Sequence, residues 1–243
     1  MSAATKRWRY LRRILHFRQM DFQFAFWQMV YLLTSPKRVF RDFAYRKHTK
    51  LQFARDDPAF LVLLSGWLVV STAGFAYVLG VGFFQFIKFL FYVIFIDCIG
   101  VGLLIATLMW AISNKYMLKP TCQDLDVEWG YCFDVHLNAF FPVLVILHFV
   151  QLFYYHHILI EVNLNSGIEE WYVVTLFANT LWLVALIYYV YINFLGYNSL
   201  GILQNTRAFL YPLAPIVVFI IGTLIANWNL SKSLINFYHY RVL

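Results

Sequence analysis

Charged residues are scarce in this chain. Only 13% of its 243 residues are Asp, Glu, Lys or Arg, whereas 62% are hydrophobic. Soluble domains carry about 25% charged and about 45–50% apolar residues, and a soluble core of this size has no room for so much apolar surface. The composition therefore excludes an ordinary soluble domain and predicts a membrane protein.

The residue patterns of common active sites are missing as well. The three cysteines, Cys98, Cys122 and Cys132, show no spacing typical of a disulfide framework or a metal site. No nucleophile–base set, phosphate-binding glycine loop or zinc signature appears. We therefore predict a protein that is not an enzyme and that holds no cofactor and no metal.

Long apolar runs predict an all-α, polytopic membrane fold. In lipid the backbone must satisfy its own hydrogen bonds, and each of five runs has the ~20 apolar residues that a helix needs to cross a bilayer. The predicted spans are about 59–81, 86–112, 136–159, 171–195 and 208–228. We take 58–243 as the five-span membrane domain and 1–57 as a basic cytosolic or interfacial N-terminal region.

Positive charge is concentrated before the first span. Residues 1–57 contain 13 of the 19 lysines and arginines against four aspartates, a net charge of +9, whereas the whole chain carries +7. The positive-inside rule then places this region in the cytosol, and five spans place the C-terminus in the lumen. Lys232 and Arg241, in the predicted lumenal tail, run against the rule.

Two interfacial helices are predicted in the N-terminal region. Residues 20–33 are apolar but too few to span, which favours an interfacial or re-entrant helix. Ser35 and Pro36 then give a helix-start signal, and the next residues form a basic amphipathic helix that suits an anionic cytosolic leaflet. The predicted membrane or partner surface consists of Lys37, Arg38, Phe40, Arg41, Phe43, Arg46 and Lys47.

Two other interpretations of the basic region stay open. Its charges can serve only to set topology, although such a signal has no use for the many aromatic residues between them. Basic residues interleaved with aromatic ones also suit single-stranded RNA, which binds through base stacking and phosphate contacts. No RNA-recognition motif appears in the sequence.

Four of the polar residues inside the predicted spans lie at comparable depths. Asp97 is about ten residues, or ~15 Å, into the second span, where an unpaired carboxylate is costly. His148 lies at a similar depth, with Gln151 and Asn179 somewhat nearer the predicted lumenal side. We expect these residues to form a polar layer. Its side chains either hold the helices together through hydrogen bonds or form the ion or proton relay of a small transporter or lipid-handling protein.

Four stretches of the sequence resemble one known family. They are residues 18–62, IDCIGVGLLIATLMWAISNKY at 96–116, DVEWGYCFDVHLNAFFPVLVILHFVQLF at 126–153 and FYHYRV at 237–242. Here the chain is similar to the uncoordinated-fifty family of Golgi membrane proteins, over nearly its whole length. The resemblance implies five spans with a cytosolic N-terminus, in the Golgi and, for some members, in the inner nuclear membrane.

The resemblance also implies a function in vesicle trafficking. It points to surface delivery of nicotinic acetylcholine receptors and to Golgi recruitment of large Arf guanine-nucleotide exchange factors, and an RNA-binding attribution exists for the family. We therefore expect a non-enzymatic trafficking factor. Its expected partners are anionic lipids, such an exchange factor and receptor cargo; RNA binding and homo-oligomerisation stay open.

Overall fold

The fold follows from the long apolar runs. A computed structural model of the chain describes residues 20–41, 53–55, 57–122, 124–154 and 168–242. Five helices in this part of the chain are long and apolar enough to cross a membrane. Helices account for all regular structure in the described ranges, apart from one isolated antiparallel bridge between Leu118 and Leu203. The prediction of an all-α, five-span membrane protein is confirmed.

Two short helices precede the spans. Helix α1, Phe22–Thr34, begins at Asp21, whose side chain accepts a hydrogen bond from the Phe24 amide at 2.9 Å. Helix α2 covers 36–41 of the described residues, with proline in its first position as predicted. Helix α1 packs against the first and third spans, so these helices belong to the same packed body as the membrane domain.

The spans are helices α3 to α7. The first three are α3, Ala59–Leu79; α4, Phe83–Tyr116; and α5, Trp129–Tyr154. The fourth lies in α6, Ile168–Asn198, and the fifth combines a 3-10 helix, Thr206–Leu210, with α7, Leu213–Ile225. Helix α5 begins at Trp129, well before the predicted start of the third span. It includes Asp134, which is buried in the helix rather than exposed in a loop. The predicted residues 155–159 of that span lie outside the described ranges.

Helix α5 is the centre of the bundle. A Cβ added at Gly102 of α4 would lie 2.6 Å from Cδ2 of His136, and one added at Gly196 of α6 would lie 2.8 Å from Cγ1 of Val135. Only glycine allows the two neighbouring helices to approach α5 this closely. The close approach fixes the relative rotation of the second, third and fourth spans, and with it the positions of their polar residues.

A last helix, α8, covers Leu230–Val242. The chain turns at Asn227, which has a positive φ of 51°, and Asn229 then caps the helix by accepting a hydrogen bond from the Lys232 amide at 2.9 Å. One face of α8 is buried, with Ser231, Ile235, Tyr238 and Val242 spaced at helical intervals. Sequence analysis assigned these residues to a tail, whereas the structure packs them as a helix against the fourth and second spans.

Candidate functional site

Helix α8 is where three of the four predicted polar residues of the spans, Asp97, His148 and Asn179, find partners. Its first turn lies against α6, its middle against α3, α4 and α5, and its last turn against α4.

Asn179 of α6 holds the beginning of α8. Its side-chain nitrogen donates hydrogen bonds to the Thr223 hydroxyl at 3.1 Å and to the Trp228 carbonyl at 2.9 Å. Its side-chain oxygen accepts one from the Leu230 amide at 3.0 Å. The amide is fully buried and both of its ends are satisfied. This residue therefore joins the fourth span, the fifth span and the first turn of α8.

His148 of α5 contacts the middle of α8. Its Nε2 lies 3.4 Å from the Tyr238 hydroxyl and its Nδ1 lies 3.3 Å from the Ser71 hydroxyl. The Tyr238 ring also packs on Phe89, with 5.0 Å between ring centroids. Hydrogen bonds this long are weak, so most of the stabilisation here comes from ring packing.

Asp97 of α4 forms an ion pair with the end of α8. Nη1 of Arg241 donates to both carboxylate oxygens, each at 2.8 Å. The guanidinium also lies over the Tyr92 ring, 5.0 Å from its centroid, and over Phe237 at 4.5 Å. The side chains are 18% exposed for Arg241 and 27% for Asp97, so the pair lies at the edge of the bundle. The carboxylate is paired within this chain, as intramembrane charges usually are.

The expected polar layer is thus divided among three contacts with α8. Within the described residues, no hydrogen bond joins Asp97, His148, Gln151 and Asn179 to one another. Gln151 is buried, and neither atom of its side-chain amide has a hydrogen-bond partner in this part of the chain. Nor do any three His, Cys, Asp or Glu side chains of the described ranges converge as metal ligands. The arrangement suits ion pairing and hydrogen bonding between α8 and the spans.

Two of these polar residues lie in π-helical segments. Asp97 is in the segment Tyr92–Gly100 of α4, and His148 is in Val145–Val150 of α5. π-helical turns are rare and occur often at functional sites. Periodicity in the sequence does not reveal them, and this is one reason why the partners in α8 were missed. One signal was present: Arg241 is a cation in the tail that was predicted to be lumenal, where the positive-inside rule disfavours it.

A second buried cluster lies where the first and third spans begin. The Arg55 amide donates to the Asp134 carboxylate at 2.6 Å, and its guanidinium donates to the Asn138 side-chain oxygen. The guanidinium also lies 4.1 Å from the centroid of the Phe60 ring. Nearby, the Glu128 carboxylate accepts hydrogen bonds from the backbone of residues 53 and 54. Residues 53–55, just before the first span, are therefore bound tightly to the beginning of α5.

The predicted basic surface is partly described. Lys37, Arg38 and Arg41 are exposed on α2, and the Arg38 guanidinium lies 4.2 Å from the centroid of the Tyr31 ring. Phe40 does not belong to this surface: it is 2% exposed and points into the core with Val39, because the two fall on the apolar face of the helix. The remaining three residues, Phe43, Arg46 and Lys47, lie outside the described ranges.

Comparisons with known proteins identify the family of this chain. A family model described as the UNC-50 family matches residues 10–239. The protein unc-50 homologs of Rattus norvegicus and Homo sapiens are each 58% identical over 241 residues, covering 99% of this chain and 90% of the relative. The Drosophila melanogaster homolog is 52% identical over 242 residues, covering 100% of this chain and 85% of its own length. No solved structure matches. The chain therefore belongs to the UNC-50 family of multi-pass membrane proteins.

Proposed function

We propose that this chain is a non-enzymatic trafficking factor of the Golgi membrane whose basic N-terminal surface recruits a large Arf guanine-nucleotide exchange factor. Membership of the UNC-50 family supports a trafficking role. The observation that carries the proposal is the orientation of α2, which presents Lys37, Arg38 and Arg41 outward while Val39 and Phe40 are buried. Surface delivery of receptor cargo, including nicotinic acetylcholine receptors, is the expected downstream effect.

The basic surface is held in a fixed position on the spans. The Tyr188 hydroxyl of α6 donates a hydrogen bond to the Leu32 carbonyl at 2.7 Å, at the end of α1. The Asp57 carboxylate, next to the first span, accepts one from the Asp21 amide at 2.8 Å, at the beginning of α1. Because α1 is fixed at both ends, the cations that follow it can contact an acidic protein surface or anionic headgroups from a defined position at the membrane.

A charge reversal on α2 tests this proposal. The double variant Lys37→Glu and Arg41→Glu changes two exposed side chains and leaves the apolar runs untouched. We expect it to insert normally but to lose recruitment of the exchange factor and to lower receptor delivery, because the contact depends on charge. Co-purification from Golgi membranes and a cell-surface receptor assay measure the two effects.

The matched control reverses the same amount of charge elsewhere. Lys115 and Arg207 are also exposed, and both are predicted to lie on the cytosolic side. Lys115→Glu with Arg207→Glu should leave recruitment unchanged. Full recruitment and delivery by the α2 variant would contradict the proposal and leave the N-terminal charges with a topological role alone.

A further inference from the structure

The Asp97 site has the chemistry of a receptor for a basic side chain. It combines a carboxylate with the face of an aromatic ring, Tyr92, and the structure shows a guanidinium bound to both. Carboxylate and aromatic groups together stabilise a desolvated cation better than either does alone. The present occupant, Arg241, comes from the last turn of α8.

The π-helical segment of α4 brings the two halves of this site together. Tyr92 and Asp97 are five residues apart, and in an α-helix they would point about 140° away from each other. In a π-helix the hydrogen bonds join residues i and i+5, so that residues five apart lie one above the other. The segment Tyr92–Gly100 spans both residues. The distortion thus has a local consequence: it places a ring and a carboxylate on the same side of the helix.

The site is also within reach of another helix in the membrane. Asp97 is partly exposed, and Phe91, Phe95 and Ile96 of the same helix are exposed large hydrophobic residues. A second transmembrane helix that packs on this surface of α4 would bring its own side chains next to the carboxylate. A lysine or arginine in such a helix needs a counter-charge inside the bilayer, and few groups there can supply one.

We propose that Asp97 and Tyr92 form a binding site for a basic side chain of a second membrane-embedded helix, and that Arg241 is a built-in occupant which such a helix displaces. In the proposed trafficking function, this site recognises membrane-spanning cargo, and in that respect the inference rests on the proposed function. The binding itself is measured without exchange factor or receptor, so the failure of one proposal can be distinguished from the failure of the other.

Peptide binding to the purified full chain in lipid nanodiscs tests the inference. The probe is a fluorescent polyleucine transmembrane peptide with one central arginine, and the control peptide carries glutamine at that position. The variant Arg241→Gln removes the guanidinium from the site. The double variant Arg241→Gln with Asp97→Asn also removes the negative charge of the carboxylate. We expect the arginine peptide to bind Arg241→Gln at least about tenfold more tightly than the double variant, within the usual range of coupling between sites.

The wild-type chain should bind the arginine peptide more weakly than Arg241→Gln, because its own arginine competes. The glutamine peptide should not distinguish the three proteins. Equal binding of the arginine peptide to all three, or equal binding of both peptides to Arg241→Gln, would overturn the inference.

A second variant covers the case in which Arg241→Gln does not give a folded protein. Arg241→Lys keeps the positive charge but loses the planar contact with the rings. It should bind the arginine peptide more tightly than the wild type, and an unchanged affinity would overturn the inference in the same way. Size-exclusion chromatography and thermal unfolding show which variant is folded and therefore which comparison applies.

Discussion

Two arginines attach segments outside the spans to the helix bundle, and they do so in different environments. The side chains of Arg55 and its partner Asp134 are 4% and 6% exposed, whereas those of Arg241 and Asp97 are 18% and 27% exposed. Arg55 has a carboxylate, an amide oxygen and a ring around it, all within the core. Arg241 has one carboxylate and two rings at the edge of the bundle.

The comparison shows what burial does to an ion pair. Removal of one partner of a fully buried pair leaves the other charge without compensation, which costs about 3–5 kcal/mol. The Asp97–Arg241 pair is partly exposed at the edge of the bundle, and polar contacts between membrane helices average about 0.6 kcal/mol. The Arg55 cluster should therefore be a permanent part of the fold, whereas α8 should be a segment that can be released.

Loss of the buried arginine should have the largest effect. Arg55→Ala removes the guanidinium that lies 4.0 Å from the Asp134 carboxylate and donates to the Asn138 side-chain oxygen, whereas the backbone hydrogen bond from residue 55 to Asp134 remains. We expect the free energy of unfolding to fall by about 3–5 kcal/mol, seen as a large drop in the thermal midpoint of the purified protein. Arg41→Ala, at an exposed site on α2, should change it by less than ~0.5 kcal/mol. Equal effects of the two variants would show that Arg55 is not part of the core.

Loss of the Asn179 side-chain amide should have an intermediate effect. Asn179→Leu removes three hydrogen bonds and leaves the Trp228 carbonyl and the Leu230 amide unpaired. We expect a loss of about 1–3 kcal/mol and faster hydrogen exchange along α8. The control Asn236→Leu makes the same change at an exposed position of α8, and it should change neither the free energy of unfolding nor the hydrogen exchange of α8. Unchanged exchange in Asn179→Leu would show that α8 is held by other contacts.

Loss of the Tyr238 hydroxyl should have the smallest effect. Tyr238→Phe removes only the 3.4 Å contact with His148 and keeps the ring against Phe89. We expect a loss below ~1 kcal/mol, close to that of Tyr240→Phe, which changes an exposed tyrosine of the same helix. A loss as large as that of Asn179→Leu would mean that the histidine contact, rather than the ring, holds the middle of α8.

The sequence was sufficient to predict the spans but not the contacts that hold them together. Apolar runs predict five helices because the cost of burying backbone in lipid depends on length and composition alone. The same reasoning identified Asp97, His148 and Asn179 as residues that need partners. It did not identify those partners, because spacing along a helix gives depth but not rotation, and Asp97 and Arg241 are 144 positions apart.

Local deviations from regular patterns account for the rest. The π-helical turns change which residues of α4 and α5 share a face, and no periodicity in the sequence signals them. Phe40 was predicted to lie on the surface of a basic amphipathic helix, but the apolar face that it shares with Val39 is buried in the protein core. Asp134 precedes the predicted third span, whereas in the structure it lies within α5 and its buried carboxylate accepts a hydrogen bond from the Arg55 amide.

The ion pair between Asp97 and Arg241 is the most direct test that intramembrane polar residues dock α8 on the bundle. A double-mutant cycle compares Asp97→Asn, Arg241→Gln and the double variant by thermal unfolding in one detergent. If the two side chains form the observed pair, the double variant should lose little more stability than either single variant, with a coupling of about 0.6–1.7 kcal/mol. All three should still insert in the membrane. Strictly additive losses would contradict this account.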